Sequence, residues 1–348
     1  MTGAKGNVIV TGGAGYIGSH AAKALSAAGY TPVTYDNLSI GNAGAVRWGP
    51  LEIGDIADPA RLTEVFLKYA PVGVLHFAAL ALVGESMVEP SLYYRTNVGG
   101  AIAVMDAARA AKARAFVFSS TCAVYGTPPD GPIDEKTPTA PINPYGASKL
   151  MVERALADYR MAYGLPYVAL RYFNAAGADP EGEIGELRGI ETHLIPLAIE
   201  AMLGRRGPIT VLGTDYPTPD GTAIRDYIHV SDLAAAHVRA LEHLLAGRAP
   251  CVLNLGTGTG HSVREVLSAI GEIAGRPVPS EDHPRRPGDP PALVARADAA
   301  RKAFGANLTP LSDLRSIVTT AIAWHESDFV GTAHRFGTKS ALPPRDAT

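Results

Sequence analysis

Two hydrophobic patterns alternate along the first half of the chain. Short, nearly continuous apolar runs, typical of buried parallel strands, occupy residues 8–10, 31–35, 51–54, 72–77, 115–120 and 167–171. Between them, apolar positions recur every three or four residues, as on one face of a helix, at 21–28, 59–69, 90–111 and 145–163. This alternation predicts an α/β fold, a Rossmann-type doubly wound parallel sheet with helices on both faces.

The pattern changes near residue 174, where a stretch rich in glycine and acidic residues begins. Beyond it we predict strands at 209–212 and 252–255 and helices at 193–203 (interrupted by Pro196), 232–246, 263–274, 297–304 and 311–326, with Ser231 and Ser262 as N-caps. We expect a Rossmann domain at 1–173 and a smaller C-terminal α/β substrate domain at 174–340. Residues 225–260 are expected to return to the main sheet, and 341–348 to form a disordered tail.

Three glycines follow the first apolar run, at positions 12, 15 and 18. Gly12 can adopt the backbone angles of a sharp turn. Gly15 leaves space for a pyrophosphate near the main chain, and Gly18 lets the next helix pack closely on the strand. Free N–H groups at the start of that helix attract phosphate. The spacing predicts a dinucleotide site; the alternative is a glycine-rich loop without a ligand.

An acidic residue, Asp36, ends the second predicted strand, 18 residues after Gly18. At this position a carboxylate accepts hydrogen bonds from the adenosine ribose and repels a 2′-phosphate. The sequence therefore favours NAD over NADP. The alternative is an ordinary turn aspartate.

Tyr145 and Lys149 are four residues apart and share one face of a predicted helix. The helix comes one element after the strand that ends in Ser119, Ser120 and Thr121. A phenol with a pKa near 10 is a poor base at neutral pH, but a nearby ammonium favours its ionised form. We predict that Lys149 lowers the pKa of Tyr145, which then removes a proton from a sugar hydroxyl as a nicotinamide takes hydride.

Composition and charge exclude several other classes of protein. The 348 residues are 47% hydrophobic and 19% charged, with a net charge of −3 and no basic block, so no nucleic-acid partner is expected. Cys122 and Cys251 form no metal-ligand cluster, and we predict no metal site and a reducing, cytoplasmic environment. The chain shows no export signal and no 18-residue apolar run, so no membrane association is expected.

Almost the whole chain resembles the extended short-chain dehydrogenase/reductase family, and within it the UDP-glucose 4-epimerases. The matching segments are 11–20, 35–38, 75–79, 83–86, 93–97, 118–120, 124–126, 143–145, 171–174, 213–216 and 221–230, of which Arg225-Asp226-Tyr227-Ile228-His229-Val230 is highly characteristic. The resemblance implies NAD-mediated oxidation of a UDP-sugar at C4, rotation of the 4-keto intermediate and re-reduction on its other face. It also implies a homodimer that pairs the helices at 90–111 and 145–163.

The resemblance implies the following site residues. The catalytic residues are Thr121, Tyr145 and Lys149. The cofactor-binding residues are Gly12, Gly15, Tyr16, Ile17, Gly18, Asp36, Asn37, Asp55, Ile56, Phe77, Ala78, Ala79, Asn97 and Phe173, together with the three catalytic residues. The substrate-binding residues are Asn174, His193, Leu194, Thr210, Val211, Leu212, Arg225, Arg286, Asp289 and Leu293. Arg225 and Arg286 are candidates for gripping a diphosphate, since a guanidinium binds phosphate bidentately. Asn97 has two interpretations, a cofactor contact or a structural hydrogen bonder.

Departures from the family pattern bear on the substrate. Leu293 stands where some members carry a tyrosine against the sugar, which predicts use of UDP-GlcNAc and UDP-GalNAc besides UDP-glucose and UDP-galactose. His193 stands where other members have asparagine. Two alternatives stay open. A 4,6-dehydratase needs an Asp-Glu pair where this chain has Cys122 and Ala123, and a non-catalytic regulator typically lacks the tyrosine or the lysine.

Overall fold

The computed structural model describes residues 5–129, 131–286 and 289–327; the predicted tail at 341–348 lies outside them. The strands are β1 (Asn7–Thr11), β2 (Thr31–Asp36), β3 (Leu51–Ile53), β4 (Gly73–His76), β5 (Phe116–Ser119), β6 (Tyr167–Tyr172), β7 (Asn174–Ala176), β8 (Ile209–Leu212), β9 (Ile224–His229), β10 (Cys251–Leu255), β11 (Gly260–Ser262), β12 (Ser280–His283) and β13 (Ala292–Leu293). The helices are α1 (Tyr16–Ala27), α2 (Pro59–Tyr69), α3 (Val83–Val88), α4 (Pro90–Tyr93), α5 (Gly100–Ala110), α6 (Pro144–Tyr163), α7 (Leu194–Met202), α8 (Val230–Leu245), α9 (Val263–Ala274), α10 (Asp298–Phe304) and α11 (Leu314–Glu326).

Seven strands form one parallel sheet in the order β10-β6-β5-β4-β1-β2-β3. The chain runs outward from β1 in one direction through β2 and β3, and in the other from β4 to β10. The order therefore reverses between β1 and β4, and the carboxyl ends of strands beside such a point form the crevice in which doubly wound sheets bind ligands. The predicted fold class is confirmed. Of the stretch 225–260 that was expected to return to the main sheet, only β10 does so, whereas β9 pairs with strands outside that sheet.

Side chains of β1 alternate between the two faces of this sheet, as the two-residue period of a strand requires. Val8 and Val10 are fully buried in a cluster with residues of α1 and α8, whereas Ile9 is buried on the other face with residues of α2, α5 and α6. Both faces are thus covered by helices, which explains why residues 8–10 at the centre of the strand are all apolar.

A smaller group of strands is arranged around β9. β11 pairs antiparallel with β9, while β7 and β13 pair parallel with it. β8 and β12 form a separate parallel pair, and α7, α9 and α11 enclose a further apolar cluster. The strand at 209–212 was predicted with these bounds. No hydrophobic pattern indicated β12, whose four polar residues are all exposed. The division into domains at residue 173 stays a prediction.

Three local predictions need correction. The stretch 90–111 is not one regular helix, because six residues between α4 and α5, Tyr94–Gly99, form a π-helical segment. Pro196 does not interrupt α7, since it is the third helical residue, where the missing N–H has no partner to lose. The N-cap of α8 is His229, whose Nδ1 accepts from the Ser231 N–H, rather than Ser231 itself.

Two other helix starts are confirmed. Asp58 caps α2 by accepting from the N–H groups of Ala60 and Arg61, with Pro59 as the first helical residue. Ser262 caps α9 in a reciprocal arrangement with Glu265. Among the described helices, none combines the length and apolar character that crossing a bilayer demands.

Candidate active site

The turn between β1 and α1 requires two of its three glycines sterically. Gly12 has φ +71°, and a Cβ there would lie 2.6 Å from the Ala78 backbone nitrogen. A Cβ on Gly18 would collide with the Gly12 carbonyl oxygen, so α1 can approach this closely only without a side chain. At Gly15 a Cβ would meet only the Gly12 oxygen, at 3.2 Å. The main chain around Gly15 is thus open to a ligand, as a pyrophosphate site requires.

Tyr16 and Ile17 begin α1, so their N–H groups belong to the free set at the helix start. Their side chains make contacts within the protein instead of facing this helix start. The Tyr16 hydroxyl donates to the Gly177 carbonyl oxygen at 2.6 Å, and Ile17 packs into the apolar cluster beneath α1 and α8. Any contact of these residues with a phosphate would therefore come from the main chain.

Asp36 is buried at the carboxyl end of β2, next to the glycine turn. Its two oxygens accept from the N–H groups of Ala14 at 3.0 Å and Leu38 at 2.9 Å. These bonds leave carboxylate lone pairs available, because each oxygen can accept more than one hydrogen bond. Burial raises the pKa of Asp36, although the two N–H groups oppose the shift. The geometry suits a carboxylate that accepts from ribose hydroxyls.

The residues that follow β2 and β3 lie beside this carboxylate. The exposed Asn37 amide donates to Asp55 Oδ2 at 2.9 Å, which links the ends of the two strands, and Ile56 beside them is buried. Phe77 and Ala78 follow β4, and both N–H groups donate to the Thr11 carbonyl oxygen at 3.0 Å. The carboxyl ends of four adjacent strands thus bring the predicted cofactor residues to one edge of the sheet.

Asn97 lies buried on the π-helical segment, and its amide is engaged by the protein. Oδ1 accepts from the Leu80 N–H at 2.8 Å, while Nδ2 donates to the Leu80 carbonyl and to Ser148 Oγ, both at 3.0 Å. The side chain therefore fastens the segment after β4 to helix α6. Of the two interpretations that the sequence left open, the geometry favours the structural one.

The predicted catalytic residues meet at the carboxyl end of β5. Thr121 starts a short 3₁₀ turn, Cys122–Tyr125, by accepting from the Ala123 N–H at 3.1 Å. Tyr145 is the second residue of α6 and partly buried. The Lys149 ammonium donates to the Ser119 carbonyl oxygen at 2.8 Å and lies 5.0 Å from the centre of the Phe118 ring. The face of α6 that carries Tyr145 and Lys149 therefore lies against the end of β5, next to Thr121.

The pKa values differ from the sequence-based prediction. Burial raises the pKa of Tyr145, and Tyr172 adds to the shift, whereas the Thr121 hydroxyl opposes it as a hydrogen-bond partner. Burial also lowers the pKa of Lys149 to about 7. Desolvation disfavours the charged form of each group, and the ammonium bonds to a backbone oxygen. The expected lowering of the phenol pKa by Lys149 is not present in this structure.

The candidate substrate residues Arg225, Asp289 and Leu293 cluster at the start of β9. Arg225 Nη2 donates to Asp289 Oδ1, and Leu293 of β13 is paired in register with Arg225. Leu293 is half-buried against an apolar cluster that includes Phe173. Asn174 lies further along, in β7, paired with Tyr227. Since Phe173 directly follows β6 of the main sheet, this cluster borders the catalytic residues.

The remaining substrate candidates are more dispersed. His193 is the N-cap residue of α7, next to Leu194, and its Nδ1 lies 2.7 Å from the buried Glu186 carboxylate. Burial acts to lower the pKa of His193, but the charge of Glu186, its hydrogen bond to the ring and the charge of Glu191 together outweigh burial, and the pKa is raised. In β8, Thr210 is exposed while the Val211 side chain is buried on the opposite face. Arg286 is exposed, so the proposed pair of diphosphate-gripping arginines is not assembled here: Arg225 is bonded to Asp289.

The acidic stretch after residue 174 lies against the start of α1. Lys23 of α1 contacts the carboxylates of Asp179, Glu181 and Glu183 at 2.7–2.8 Å. A small cavity lies between the glycine turn, at Gly15 and Tyr16, and Ile184–Gly185 of this stretch. The sequence signal for the contact was weak, because an isolated lysine in a helix and scattered acids are common on exposed surfaces.

Sequence reasoning also missed two buried carboxylates near the site. Asp226 is fully buried, and it accepts from the N–H groups of Thr257, Gly258 and Ala295, which fastens the loop after β10 to β9. Glu153 is buried one turn beyond Lys149 on α6. The four-residue spacing from Lys149 placed Glu153 on the catalytic face, and that was the signal available for it.

Most of this chain is similar to known proteins. The model of the NAD dependent epimerase/dehydratase family matches residues 8–256. The UDP-glucose 4-epimerase of Rhizobium leguminosarum bv. trifolii is 56% identical over 318 residues, 91% of this chain and 97% of its own.

Solved structures are similar over the same range. The UDP-glucose 4-epimerase of Brucella ovis in complex with NAD is 55% identical with a TM-score of 0.89, covering 91% of this chain and 98% of its own. The UDP-Glc/GlcNAc 4-epimerase of Campylobacter jejuni is 36% identical with a TM-score of 0.80, covering 92% and 98%. The chain therefore belongs to the NAD dependent epimerase/dehydratase family.

Proposed function

We propose that this protein is an NAD-dependent UDP-sugar 4-epimerase that interconverts UDP-glucose and UDP-galactose. The observation that carries the proposal is the meeting, at one edge of the parallel sheet, of the glycine turn with Asp36 and the Thr121–Tyr145–Lys149 group. The near full-length similarity to UDP-glucose 4-epimerases supports it.

The glycine turn and Asp36 fit a dinucleotide. The N–H groups at the start of α1 would hold the pyrophosphate, and Asp36 would accept from the adenosine ribose. Its negative charge disfavours a 2′-phosphate, which selects NAD. When bound, NAD⁺ supplies the hydride acceptor for C4 of the sugar and a positive charge on the nicotinamide ring.

Tyr145 would act as the acid and base at the sugar O4. Its hydroxyl lies on the first turn of α6, next to the Thr121 hydroxyl, which can donate a hydrogen bond to a phenolate. Lys149 would hold the end of β5 through the Ser119 carbonyl and supply positive charge beneath the phenol when protonated. Because the raised pKa of Tyr145 favours the protonated phenol, removal of its proton depends on charge brought into the site by the ligands.

The Arg225–Asp289 pair would bind the nucleotide end of the substrate. Asp289 holds the guanidinium in place at the start of β9, and a diphosphate can compete for the same N–H donors because it carries more charge than one carboxylate. The exposed Arg286 can turn toward the same group. Firm binding of the diphosphate and loose binding of the sugar would allow the 4-keto intermediate to rotate.

The side chain at position 293 supports a wider sugar range. Leu293 lacks the ring and hydroxyl that a tyrosine would place there, and its neighbours in the cluster around Phe173 are apolar. We therefore propose that UDP-GlcNAc and UDP-GalNAc are also substrates. The name of the similar Campylobacter jejuni protein includes both kinds of sugar.

A homodimer and a cytoplasmic location complete the proposal. Large apolar side chains are exposed on neighbouring helices: Val83, Met87 and Val88 on α3, Leu92 on α4, Ile102 on α5 and Met151 on α6. α3 and α4 pack against each other and against α6, so most of these side chains belong to one face that a second copy could cover. Sedimentation equilibrium would test the dimer, and cell fractionation the location.

The direct test is incubation of purified protein with UDP-galactose and identification of the product. Epimerisation gives UDP-glucose. A 4-keto-6-deoxy sugar nucleotide would indicate a dehydratase instead, and binding of UDP-galactose without turnover would indicate a regulator.

A further inference from the structure

Two contacts fasten helix α6 to the carboxyl end of β5. The Lys149 ammonium donates to the Ser119 carbonyl oxygen at 2.8 Å. One turn further along α6, the Glu153 carboxylate accepts from Ser120 Oγ at 2.5 Å. Thr121 is the next residue of the chain, so the placement of Ser119 and Ser120 determines where the Thr121 hydroxyl lies relative to Tyr145.

The Glu153 carboxylate is itself fixed by a buried arginine. Arg171 of β6 binds this carboxylate bidentately, with Nε 2.9 Å from Oε1 and Nη2 2.5 Å from Oε2. Exposure is 0% for Ser120, 6% for Glu153 and 7% for Arg171. Because these side chains are shielded from water, the charge-assisted hydrogen bonds between them are short and strongly directional. The carboxylate therefore has one orientation, and Ser120 is held to it.

These hydrogen bonds continue from Arg171 to Tyr125 and Asn254. Arg171 Nη1 donates to the Tyr125 hydroxyl at 3.0 Å, and that hydroxyl donates to Asn254 Oδ1 at 2.7 Å. Tyr125 ends the 3₁₀ turn that begins after Thr121, and Asn254 belongs to β10. Both ends of the Thr121 turn are thus attached to the same buried carboxylate, one through Ser120 and the other through Arg171.

We propose that Glu153 is a positioning residue for epimerisation, which locks the Ser120–Thr121 strand end onto helix α6 so that the Thr121 and Tyr145 hydroxyls keep the spacing that catalysis needs. The inference rests on the proposed function. It concerns placement, because misplacing reacting groups by about 1 Å can lower a rate by about 10². Glu153 touches neither the sugar nor the cofactor site and acts through Ser120.

The charge of Glu153 is not required to tune the catalytic amine. Burial alone lowers the pKa of Lys149 to about 7, with no contribution from Glu153. A variant that loses the Ser120 contact should therefore lower kcat without moving the pH at which activity reaches half of its maximum. This separates a positioning role from an electrostatic one.

The test is a double-mutant cycle on kcat with Ser120→Ala, Glu153→Met and the double variant. Glu153→Met keeps a similar side-chain volume and removes the oxygen that accepts from Ser120 Oγ. Ser120→Ala removes one hydroxyl and leaves the Glu153–Arg171 pair intact, so it should fold even if Glu153→Met does not. We expect Ser120→Ala to lower kcat about tenfold, with KM for UDP-galactose and the content of bound NAD within twofold of wild type. The double variant should be no slower than Glu153→Met alone, because both changes break the same contact.

Glu52→Gln is the matched control, since Glu52 is a buried carboxylate held by Arg61, Lys68 and Tyr69 on α2. It belongs to β3, which three strands of the sheet separate from β5 and the catalytic residues. Its kcat should stay within twofold of wild type. The inference is overturned if Ser120→Ala lowers the melting temperature but leaves kcat unchanged, or if the effects of the two substitutions multiply. An inactive wild-type protein would instead refute the proposed function, so the two failures are distinguishable.

Discussion

At the scale of single residues, the account depends most on Tyr145. The Tyr145→Phe variant keeps the ring and loses the hydroxyl that exchanges a proton with O4. We expect kcat to fall by about 10²–10⁴, the usual contribution of a positioned acid or base, while UDP affinity changes less than twofold. Steady-state kinetics and UDP titration calorimetry measure both. Tyr69→Phe, at a hydroxyl bonded to Glu52 on α2, serves as the control, and equal turnover of wild type and Tyr145→Phe would refute the assigned role.

Leu293 is the residue on which the sugar range depends. In Leu293→Tyr, a larger side chain stands next to the cluster around Phe173. An extra group that fits an apolar pocket changes discrimination by about 1–3 kcal/mol, so we expect kcat/KM for UDP-GlcNAc to fall about tenfold or more and that for UDP-galactose to change less than threefold. Turnover of both substrates by both proteins checks this. Failure of wild type to epimerise UDP-GlcNAc, or an equal loss on both substrates, contradicts the prediction.

At the scale of elements, contacts with α1 hold the acidic stretch after residue 174 against the glycine turn. Lys23 joins it through three carboxylates, and the Tyr16 hydroxyl bonds to Gly177. A small cavity separates this stretch from Gly15 and Tyr16, where we propose that the pyrophosphate binds. Weakening the contact should therefore speed the release of NAD.

We expect Lys23→Met to raise the rate of NAD release about fivefold, which corresponds to ~1 kcal/mol for a partly exposed ion pair. The release can be followed by exchange of bound NAD with labelled NAD. Lys5→Met is the control, since Lys5 forms an exposed ion pair with Glu242. An unchanged exchange rate in Lys23→Met would show that the stretch does not retain the cofactor.

At the scale of the whole molecule, four buried histidines should limit stability in acid. Burial lowers the pKa of His76 to about 3 and the pKa values of His20, His229 and His237 to about 4. In the unfolded chain each group titrates near 6.5. The unfolded state therefore binds more protons between pH 6.5 and 4, and stability that is present above pH 6.5 is lost as the pH falls.

The free energy of unfolding should decline between pH 6.5 and 5 by about 1.4 kcal/mol per pH unit for each histidine that takes up a full proton. Guanidinium chloride titrations at a series of pH values measure the slope. His237 donates one hydrogen bond from Nδ1 to the Leu233 carbonyl oxygen. In the His237→Met variant, which has no imidazole, the slope should decrease by about one proton. A slope equal to that of wild type would exclude His237 as a contributor.

The sequence was sufficient for the features that depend on local pattern. Apolar runs predicted the strands of the parallel sheet, the glycine spacing predicted the turn, and Ser262 as an N-cap predicted the start of α9. Side-chain contacts between residues far apart in the chain could not be predicted from the sequence. The Asp289 contact of Arg225 and the Ser119 carbonyl contact of Lys149 join residues far apart in the chain. For the same reason the sequence suggested a lowered pKa for Tyr145, while burial, a property of the folded molecule, raises it.

The central claim is that hydride leaves and returns to C4 of the sugar without exchange with solvent. The direct measurement uses UDP-galactose deuterated at C4, incubated with purified protein and no added cofactor. The account predicts UDP-glucose that retains deuterium at C4, because the hydride is held in the site by tightly bound NAD during rotation of the 4-keto intermediate. Formation of no UDP-glucose, or of UDP-glucose with solvent hydrogen at C4, would contradict it.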